Sequence, residues 1–330
     1  MQTPELLTKG DTVAIVAASG ICDSTKLANG VNVIESMGLK VKVMPGCYAS
    51  HDYLAGTDHQ RLQDLHEAFA DVNIKGIFMA RGGYGTARLL PYIDYALIRK
   101  NPKVVVGFSD ITALHIALNQ LCGLVTFHGP MPVSCLSDAA LHPQTLESLT
   151  SAIFKSTKKS GTAAFHRLHA VVSAYTSRSR VQFPMQTKQI RNQTSFPNIL
   201  EFLPPDSNLQ TLYPGQASGI LTGGNLSVIA STLGTPYEIK TRGRILFLED
   251  VNEEPYRVDR LLLQLKLAGK LSAATGIIFG DFSPETLETL QLAINEIVLT
   301  EKKPTAWGLS CGHTSPNFTL PLGKMVAITV

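Results

Sequence analysis

The sequence has few of the features that mark secreted, metal-binding or membrane proteins. Only five of its 330 residues are cysteine, and they are scattered, with no C-x-x-C pair. An odd number of dispersed cysteines argues against a disulfide framework or a zinc site and favours free thiols in a reducing compartment. The first eleven residues lack the apolar segment of a signal peptide, and no apolar run reaches the length of a membrane span. We therefore expect a cytoplasmic protein that does not contact a membrane.

The charge balance argues against nucleic-acid binding. The net charge at neutral pH is only +3, and no basic segment is interleaved with aromatic residues. Hydrophobic residues make up 44% and charged residues 17% of the chain, which is the balance of a globular protein with a substantial core. A length of 330 residues predicts two domains of ordinary size.

Apolar runs alternate with segments of helical periodicity through the first 150 residues. The runs lie at residues 12–20, 39–44, 76–80 and 104–106. The helical segments between them lie at residues 26–37, 58–71 and 86–92. A continuous apolar run is typical of a strand that is covered on both faces. The alternation predicts an α/β fold whose N-terminal domain is a Rossmann- or flavodoxin-like parallel sheet with helices on both faces.

The same pattern divides the chain into three parts. Residues 1–150 form the N-terminal α/β domain, residues 151–218 a polar connection with short strands, and residues 219–330 a smaller C-terminal α/β domain. His166 and His169 lie in the connection without a nearby cysteine or carboxylate. We interpret them as surface residues, and nothing in the sequence predicts a metal site.

Ser109 lies between a predicted buried strand and a predicted helix. Gly107 allows a sharp turn after the strand at 104–106, and helical spacing begins at Ile111. An α/β hydrolase places its nucleophile at such a turn, beside the N–H donors of the following helix. The match to G-x-S-x-G is incomplete, because Ile111 occupies the fifth position. The alternative is a serine that caps the helix.

A glycine-rich segment, RGGYG at residues 81–85, follows the third predicted strand. Because active sites of parallel sheets lie beyond the carboxyl ends of the strands, we expect it near Ser109. It lacks the Lys-Ser/Thr pair of a Walker A motif and the spacing of a dinucleotide fingerprint. Its closely spaced N–H groups suit an oxyanion hole better than a phosphate loop. Arg81 is a candidate clamp for a substrate carboxylate, and the alternative is an arginine that ties down the loop.

A serine nucleophile needs a histidine base and a carboxylate that orients the base. Among nine histidines, His128 follows an apolar strand, and His313 lies in a glycine-flanked loop after another apolar run. The residues alone favour neither of these two. Glu249 and Asp250 close a predicted strand, where side chains are held rigidly. The alternative is a solvated pair at the end of that strand, or part of a helix cap.

A series of motifs extends this interpretation over nearly the whole chain outside about residues 155–215. The motifs are RGGYG at 81–85, GFSD at 107–110, HGPM at 128–131, GGNL at 223–226, LEDVNE at 248–253, PYRVDR at 255–260, GH at 312–313 and LPLG at 320–323. In this order they resemble the LD-carboxypeptidases of the S66 serine peptidase family, which also contains the microcin-C self-immunity proteins.

The resemblance implies a serine hydrolase site between the two domains. It assigns Ser109 as nucleophile, Glu249 as orienting acid and His313 as base, which leaves His128 as a structural residue. The other candidates would form the oxyanion hole or bind substrate, and they are Gly83, Asp110, Arg81 and Asn225.

The function implied by the resemblance is a cytoplasmic, homodimeric serine carboxypeptidase that needs no metal or cofactor. Its partner would be a murein tetrapeptide, from which it releases the terminal D-Ala in peptidoglycan recycling. Within the family the rival is cleavage of a peptidyl or aminoacyl nucleotide, for which Trp307 would offer an aromatic platform unless it belongs to the core. From another class, the alternative is a non-catalytic nucleotide- or peptide-binding protein.

Overall fold

The computed structural model of the chain describes residues 1–155, 209–283 and 286–330. The strands of these ranges are β1 (Thr12–Val16), β2 (Lys40–Val43), β3 (Ile74–Met79), β4 (Val104–Gly107), β5 (Thr126–His128), β6 (Gln210–Tyr213), β7 (Gln216–Asn225), β8 (Arg244–Val251), β9 (Gly276–Ser283), β10 (Thr305–Trp307), β11 (Leu320–Leu322) and β12 (Met325–Thr329). Their α-helices are α1 (Ser24–Ser36), α2 (Asp58–Ala70), α3 (Thr86–Leu89), α4 (Tyr95–Lys100), α5 (Thr112–Ala117), α6 (Pro143–Ile153), α7 (Leu226–Ser231), α8 (Pro255–Leu267), α9 (Lys270–Ala273) and α10 (Leu287–Ala293). Most of the predicted polar connection, including His166 and His169, lies outside the described residues.

The first sheet has the strand order β11-β5-β4-β3-β1-β2, and β1 to β5 run parallel. Its central strand β4 is buried along its whole length, as its run of three valines predicted. The alternation of strands and helices thus confirms the predicted α/β class for this part of the chain.

One strand of this sheet comes from the far end of the chain. β11 pairs antiparallel with β5, so that Leu320 lies opposite His128. The sequence analysis assigned all of residues 219–330 to the C-terminal domain and did not predict this pairing. The strand is only three residues long and contains Pro321, which fits an edge position because proline donates no hydrogen bond to a ladder.

The second sheet has the strand order β12-β7-β8-β9-β10-β6. The four central strands, β7 to β10, are parallel, and the two outer strands pair antiparallel. Helix α8 packs its apolar residues, among them Val258, Leu262 and Leu265, into a buried cluster with Phe279. Both sheets therefore have the α/β architecture that the sequence predicted.

The two sheets meet through the helix that follows β4. The backbone N–H of Asn225, at the end of β7, donates to Thr112 Oγ1 on α5 over 2.9 Å. This contact brings the carboxyl ends of β4 and β7 together, where parallel α/β sheets hold their functional residues. Among the described residues, no helix is both long enough and apolar enough to cross a membrane.

Candidate active site

Ser109 occupies a strained turn directly beyond β4. Its backbone φ is +63°, a left-handed conformation that costs a non-glycine residue about 1–3 kcal/mol. A short 3₁₀ turn, Ser109–Ile111, leads into α5. Neither the turn nor α5 has a side-chain cap, so Ser109 is not a helix cap in this structure. The strained turn instead presents the hydroxyl, as a nucleophile elbow does.

His313 connects this hydroxyl to Glu249. Its Nε2 lies 3.1 Å from Ser109 Oγ, and its Nδ1 lies 2.8 Å from Glu249 Oε2. The imidazole packs against the ring of Phe108 at an angle of 61° between the ring planes, with ring centroids 4.8 Å apart. The structure therefore brings hydroxyl, imidazole and carboxylate into one hydrogen-bonded chain, the geometry in which an imidazole accepts a serine proton.

Glu249 is fully buried on β8. Burial raises the pKa of its carboxyl group, while the hydrogen bond and the charge of His313 act in the opposite direction. A Cβ at position 312 would overlap the Glu249 carboxylate, and Gly312 has a φ of +112°. Glycine is thus required directly before His313, which explains the Gly-His pair seen in the sequence.

Asp250, the second acid of the pair, points to a different partner. Its carboxylate accepts hydrogen bonds from Asn225 Nδ2 at 2.9 Å and from Ser227 Oγ at 2.6 Å. Asn225 Oδ1 in turn accepts from the N–H of Val228 at the start of α7. In this structure Asp250 and Asn225 therefore fasten the start of α7, and Glu249 alone faces the imidazole.

His128 lies behind the site rather than in it. The ring is fully buried beside Phe108, Phe247 and His115. Burial holds the pKa of His128 well below its usual value, so the ring is neutral. Neither ring nitrogen has a hydrogen-bond partner among the described residues, whereas His313 contacts both Ser109 and Glu249.

The glycine-rich loop after β3 packs directly on the serine turn. A Cβ on Gly82 would lie 2.8 Å from both Cβ and Oγ of Ser109 and 3.5 Å from Asp110 N, so no larger residue fits there. Gly83 follows with a φ of +120°. The backbone of this loop therefore lies directly against the serine turn.

Arg81 is held by backbone oxygens at the start of the loop. Its Nε donates to Gly82 O over 3.2 Å, and its Nη1 donates to Ile21 O over 3.0 Å. These are the contacts of an arginine that fastens the loop, the alternative raised by the sequence. Trp307 packs against Phe279 and Phe282, with centroid distances of 5.5 Å to each, as a core residue does.

A cavity of about 400 Å³ adjoins Phe108 and His313. Its other walls include Asp138 and His142, which precede α6, and Thr314 and Ser315, which follow His313. The sequence analysis missed these side chains because residues 134–142 contain no recognisable motif. It also missed Arg61, a fully buried arginine within the helix α2. Only the spatial neighbours of these residues reveal them.

The chain matches both domains that define one protein family. The LD-carboxypeptidase N-terminal domain matches residues 13–129, and the LD-carboxypeptidase C-terminal domain matches residues 218–328. A probable murein peptide carboxypeptidase of Bacillus subtilis (strain 168) is 39% identical over 331 residues, which cover 98% of this chain and 91% of the relative. These matches agree with the ordered motifs of the sequence.

Two solved structures share the fold over almost their full lengths. An MccF-like protein from Bacillus anthracis superimposes with a TM-score of 0.79 at 26% identity, covering 100% of this chain and 96% of that one. A muramoyltetrapeptide carboxypeptidase from Oxalobacter formigenes superimposes with a TM-score of 0.71 at 27% identity, covering 97% and 95%.

Proposed function

Because the chain belongs to the LD-carboxypeptidase family, we propose that it hydrolyses the L,D peptide bond that holds the terminal D-Ala of a murein tetrapeptide. The substrate assignment draws on the Bacillus subtilis relative and the Oxalobacter formigenes structure, both named for murein peptides. The observation that carries the chemistry is the hydrogen-bonded chain from Ser109 through His313 to Glu249 at a strained turn.

In the proposed reaction Ser109 Oγ attacks the carbonyl carbon of the L,D bond while His313 Nε2 accepts the hydroxyl proton. Glu249 fixes the imidazole tautomer through Nδ1–H and stabilises the imidazolium that forms. His313 then gives the proton to the leaving amino group of D-Ala. Water, activated by the same imidazole, releases the acyl group from Ser109.

The negative charge on the attacked oxygen needs donors that are already in place. We assign this role to the N–H groups of Gly83 and Asp110, on the two sides of the contact between Gly82 and Ser109. Such donors contribute most in a site that excludes water.

The groups that recognise the substrate are also proposals. Arg81 remains the candidate partner for the terminal carboxylate, through the part of its guanidinium that does not contact Gly82 or Ile21. Asn225 is the candidate at the end of β7, although both ends of its amide contact protein groups in this structure. The cavity beside His313 is large enough to take part of the peptide.

A second candidate function is cleavage of an aminoacyl or peptidyl nucleotide. The fold of the MccF-like protein favours it, whereas the packing of Trp307 against Phe279 and Phe282 weakens the case for a nucleobase platform at that residue. Side-by-side mass spectrometry of murein tetrapeptide and an aminoacyl-sulfamoyl adenylate, each incubated with purified protein, separates the two. Loss of D-Ala from the tetrapeptide alone supports the proposal, and cleavage of the nucleotide alone overturns it.

The compartment and the assembly belong to the same proposal. The five cysteines are free thiols, as a cytoplasmic protein would keep them. A homodimer is proposed from the family resemblance, and light scattering of the purified chain measures it directly. A monomer at micromolar concentration would contradict the assembly without affecting the proposed chemistry.

A further inference from the structure

Arg61 is a fully buried cation beneath the glycine-rich loop. Its Nη1 donates to the carbonyl oxygen of Gly85 over 3.0 Å and also to that of Ala18. Its Nη2 donates to Asp58, which lies at the surface end of the same helix turn. The guanidinium therefore joins α2 to the ends of two segments that approach Ser109.

Asp110 is a buried anion on the other side of the same loop, with 5% of the residue exposed. Its Oδ2 accepts hydrogen bonds from Thr86 N at 2.9 Å and from Ser19 Oγ at 2.7 Å. None of the ion pairs among the described residues includes Asp110. Among the described residues, hydrogen-bond donors of these two segments, and no cation, contact its carboxylate.

The two buried charges contact opposite ends of one peptide unit. The carbonyl oxygen of the Gly85–Thr86 peptide accepts from Arg61, and the N–H of the same peptide donates to Asp110. The Ala18–Ser19 segment repeats the arrangement, since Ala18 O accepts from Arg61 and Ser19 Oγ donates to Asp110. A peptide dipole aligned between a cation and an anion stabilises both charges where water cannot.

This peptide-bridged ion pair, made of Arg61, the Gly85–Thr86 peptide and Asp110, lies where the proposed oxyanion hole is built. Asp110 directly follows Ser109, and the loop that the pair holds contains Gly82, which touches Ser109. We propose that Arg61 and the side chain of Asp110 are positioning residues, which hold the glycine-rich loop at the distance from Ser109 that an oxyanion requires. The inference rests on the proposed serine chemistry and adds to it the residues that keep its geometry.

A purely structural role would predict something different. It would lower the melting temperature of a variant without changing the reactivity of Ser109 in the folded fraction. A positioning role changes that reactivity, because a displacement of about 1 Å in a catalytic group costs about 10²-fold in rate. It leaves the binding of a product peptide unchanged, since the oxyanion donors act in the transition state.

The test compares Asp110→Asn with the wild type by the rate at which a fluorophosphonate labels Ser109. We expect labelling of the folded variant, and its kcat on tetrapeptide, to fall by about 10²-fold with KM and product affinity unchanged. Asp64→Asn is the matched control, because Asp64 is as buried as Asp110 and accepts from Gly46 N at 2.6 Å, with no hydrogen bond to the glycine-rich loop or to Asp110 among the described residues. This control should lose thermal stability and keep the labelling rate.

Two further variants keep the test decisive if Asp110→Asn folds poorly. Ser19→Ala removes one donor to Asp110 without leaving a bare charge, and we expect labelling to slow by about 10-fold. The double variant Arg61→Met/Asp110→Asn removes both buried charges, so it should recover stability but not labelling.

The outcomes separate this inference from the proposed function. Labelling at the wild-type rate in Asp110→Asn and Ser19→Ala overturns the positioning role and leaves the proposed function standing. If the wild type is labelled but cleaves no murein peptide, the substrate assignment fails while the labelling comparison still tests the positioning role. A wild type that the fluorophosphonate does not label overturns both.

Discussion

The first sheet has one cavity at the carboxyl ends of its strands, here called the carboxyl edge, and one at the amino ends, the amino edge. Only the cavity at the carboxyl edge adjoins groups of the candidate active site. At the carboxyl edge a cavity of about 400 Å³ lies beside Phe108 and His313. At the amino edge a cavity of about 500 Å³ lies among Lys75, Lys103 and Lys155. The larger cavity contains no pairing of a nucleophile with a base. Lys155 is bound to Glu5 at 2.6 Å, and Lys103 donates to the backbone oxygen of Asp71.

The difference shows what locates a site in a parallel sheet. At the carboxyl edge the strands end in turns whose N–H groups and side chains face a common point, so a nucleophile, a base and N–H donors can converge. At the amino edge the charged side chains neutralise one another or contact backbone oxygens. The direction of the strands therefore locates the active site better than cavity volume does. Substitutions at the carboxyl edge should change activity, and substitutions at the amino edge should not.

Replacement of Ser109 should have the largest effect on activity. Ser109→Ala removes the attacking oxygen, and we expect kcat to fall by roughly 10⁴-fold or more with the fold retained. Mass spectrometry of D-Ala release measures the loss, and circular dichroism checks the fold. Ser109→Gly should be equally inactive but melt at a higher temperature than Ser109→Ala, because glycine adopts the φ of +63° without strain. Turnover near the wild-type rate in either variant would remove Ser109 from the reaction.

Glu249→Gln, also at the carboxyl edge, should cause the next largest loss of kcat. The amide cannot fix the His313 tautomer or stabilise the imidazolium, and we expect kcat to fall by about 10⁴-fold. Asp250→Asn is the matched control, because Asp250 binds Ser227 and Asn225 and not the imidazole. This variant should lower the melting temperature and leave kcat much closer to the wild-type value than Glu249→Gln does. A reversed order of the two effects on kcat would assign the orienting role to Asp250.

Arg81→Lys distinguishes a carboxylate clamp from a loop anchor. Lysine cannot reproduce the fork that contacts Gly82 and Ile21, so we expect a loss of stability of about 1–3 kcal/mol. If Arg81 serves only as a loop anchor, turnover of the free-acid tetrapeptide and of its amide should fall by the same factor, roughly 10-fold. A selective loss for the free acid, measured as the ratio of the two kcat/KM values, would show that Arg81 binds the terminal carboxylate.

His115, a fully buried histidine on α5, should make the stability of the protein depend on pH. Burial lowers the pKa of His115 from 6.5 to about 4, against the hydrogen bond from Nε2 to Gly107 O. At His115 the unfolded chain binds a proton in this range and the folded chain does not, so this group alone lowers the stability by roughly 3 kcal/mol as the pH drops from 6.5 to 4. Urea unfolding at several pH values measures the slope. His115→Gln should reduce the slope without abolishing it, because burial also holds the pKa of His128 well below its usual value. An unchanged slope would contradict the assignment.

Substitution at the amino edge should have the smallest effect on activity. Burial lowers the pKa of Lys103 to about 8, and within the described part of the chain its ammonium contacts a backbone oxygen and no carboxylate. Lys103→Met should leave kcat and KM unchanged and hold or raise the melting temperature, because a methionine fills the same space without a charge. A loss of turnover of the size seen at the carboxyl edge would break the contrast between the two edges.

The strand and helix pattern predicted more of this fold than of its site. The three valines before Gly107 predicted a buried strand, and the resumption of helical spacing after Ser109 predicted the turn, even though Ile111 breaks the full motif. The choice between His128 and His313 was different. Both follow apolar runs beside glycine, so the residues alone left the choice open and only the family resemblance favoured His313. In the structure it is His313 that contacts both Ser109 and Glu249.

Two further features had no signal that reasoning from one sequence could use. β11 is three residues long and contains a proline, too short for any period to emerge. Arg61 lies in a polar helix segment where a surface position is the ordinary expectation, and its burial follows only from backbone oxygens contributed by two distant segments.

The path of the chain after β10 has a consequence for motion at the site. β10 belongs to the second sheet and β11 to the first, and His313 lies on the span between them. The segment that carries His313 is therefore anchored at one end to the second sheet and at the other end to the first. A hinge that opened the space between the sheets would have to break the ladder between β11 and β5 or stretch this segment. The crossing of the chain from one sheet to the other therefore restrains how far the two sheets can separate around the site.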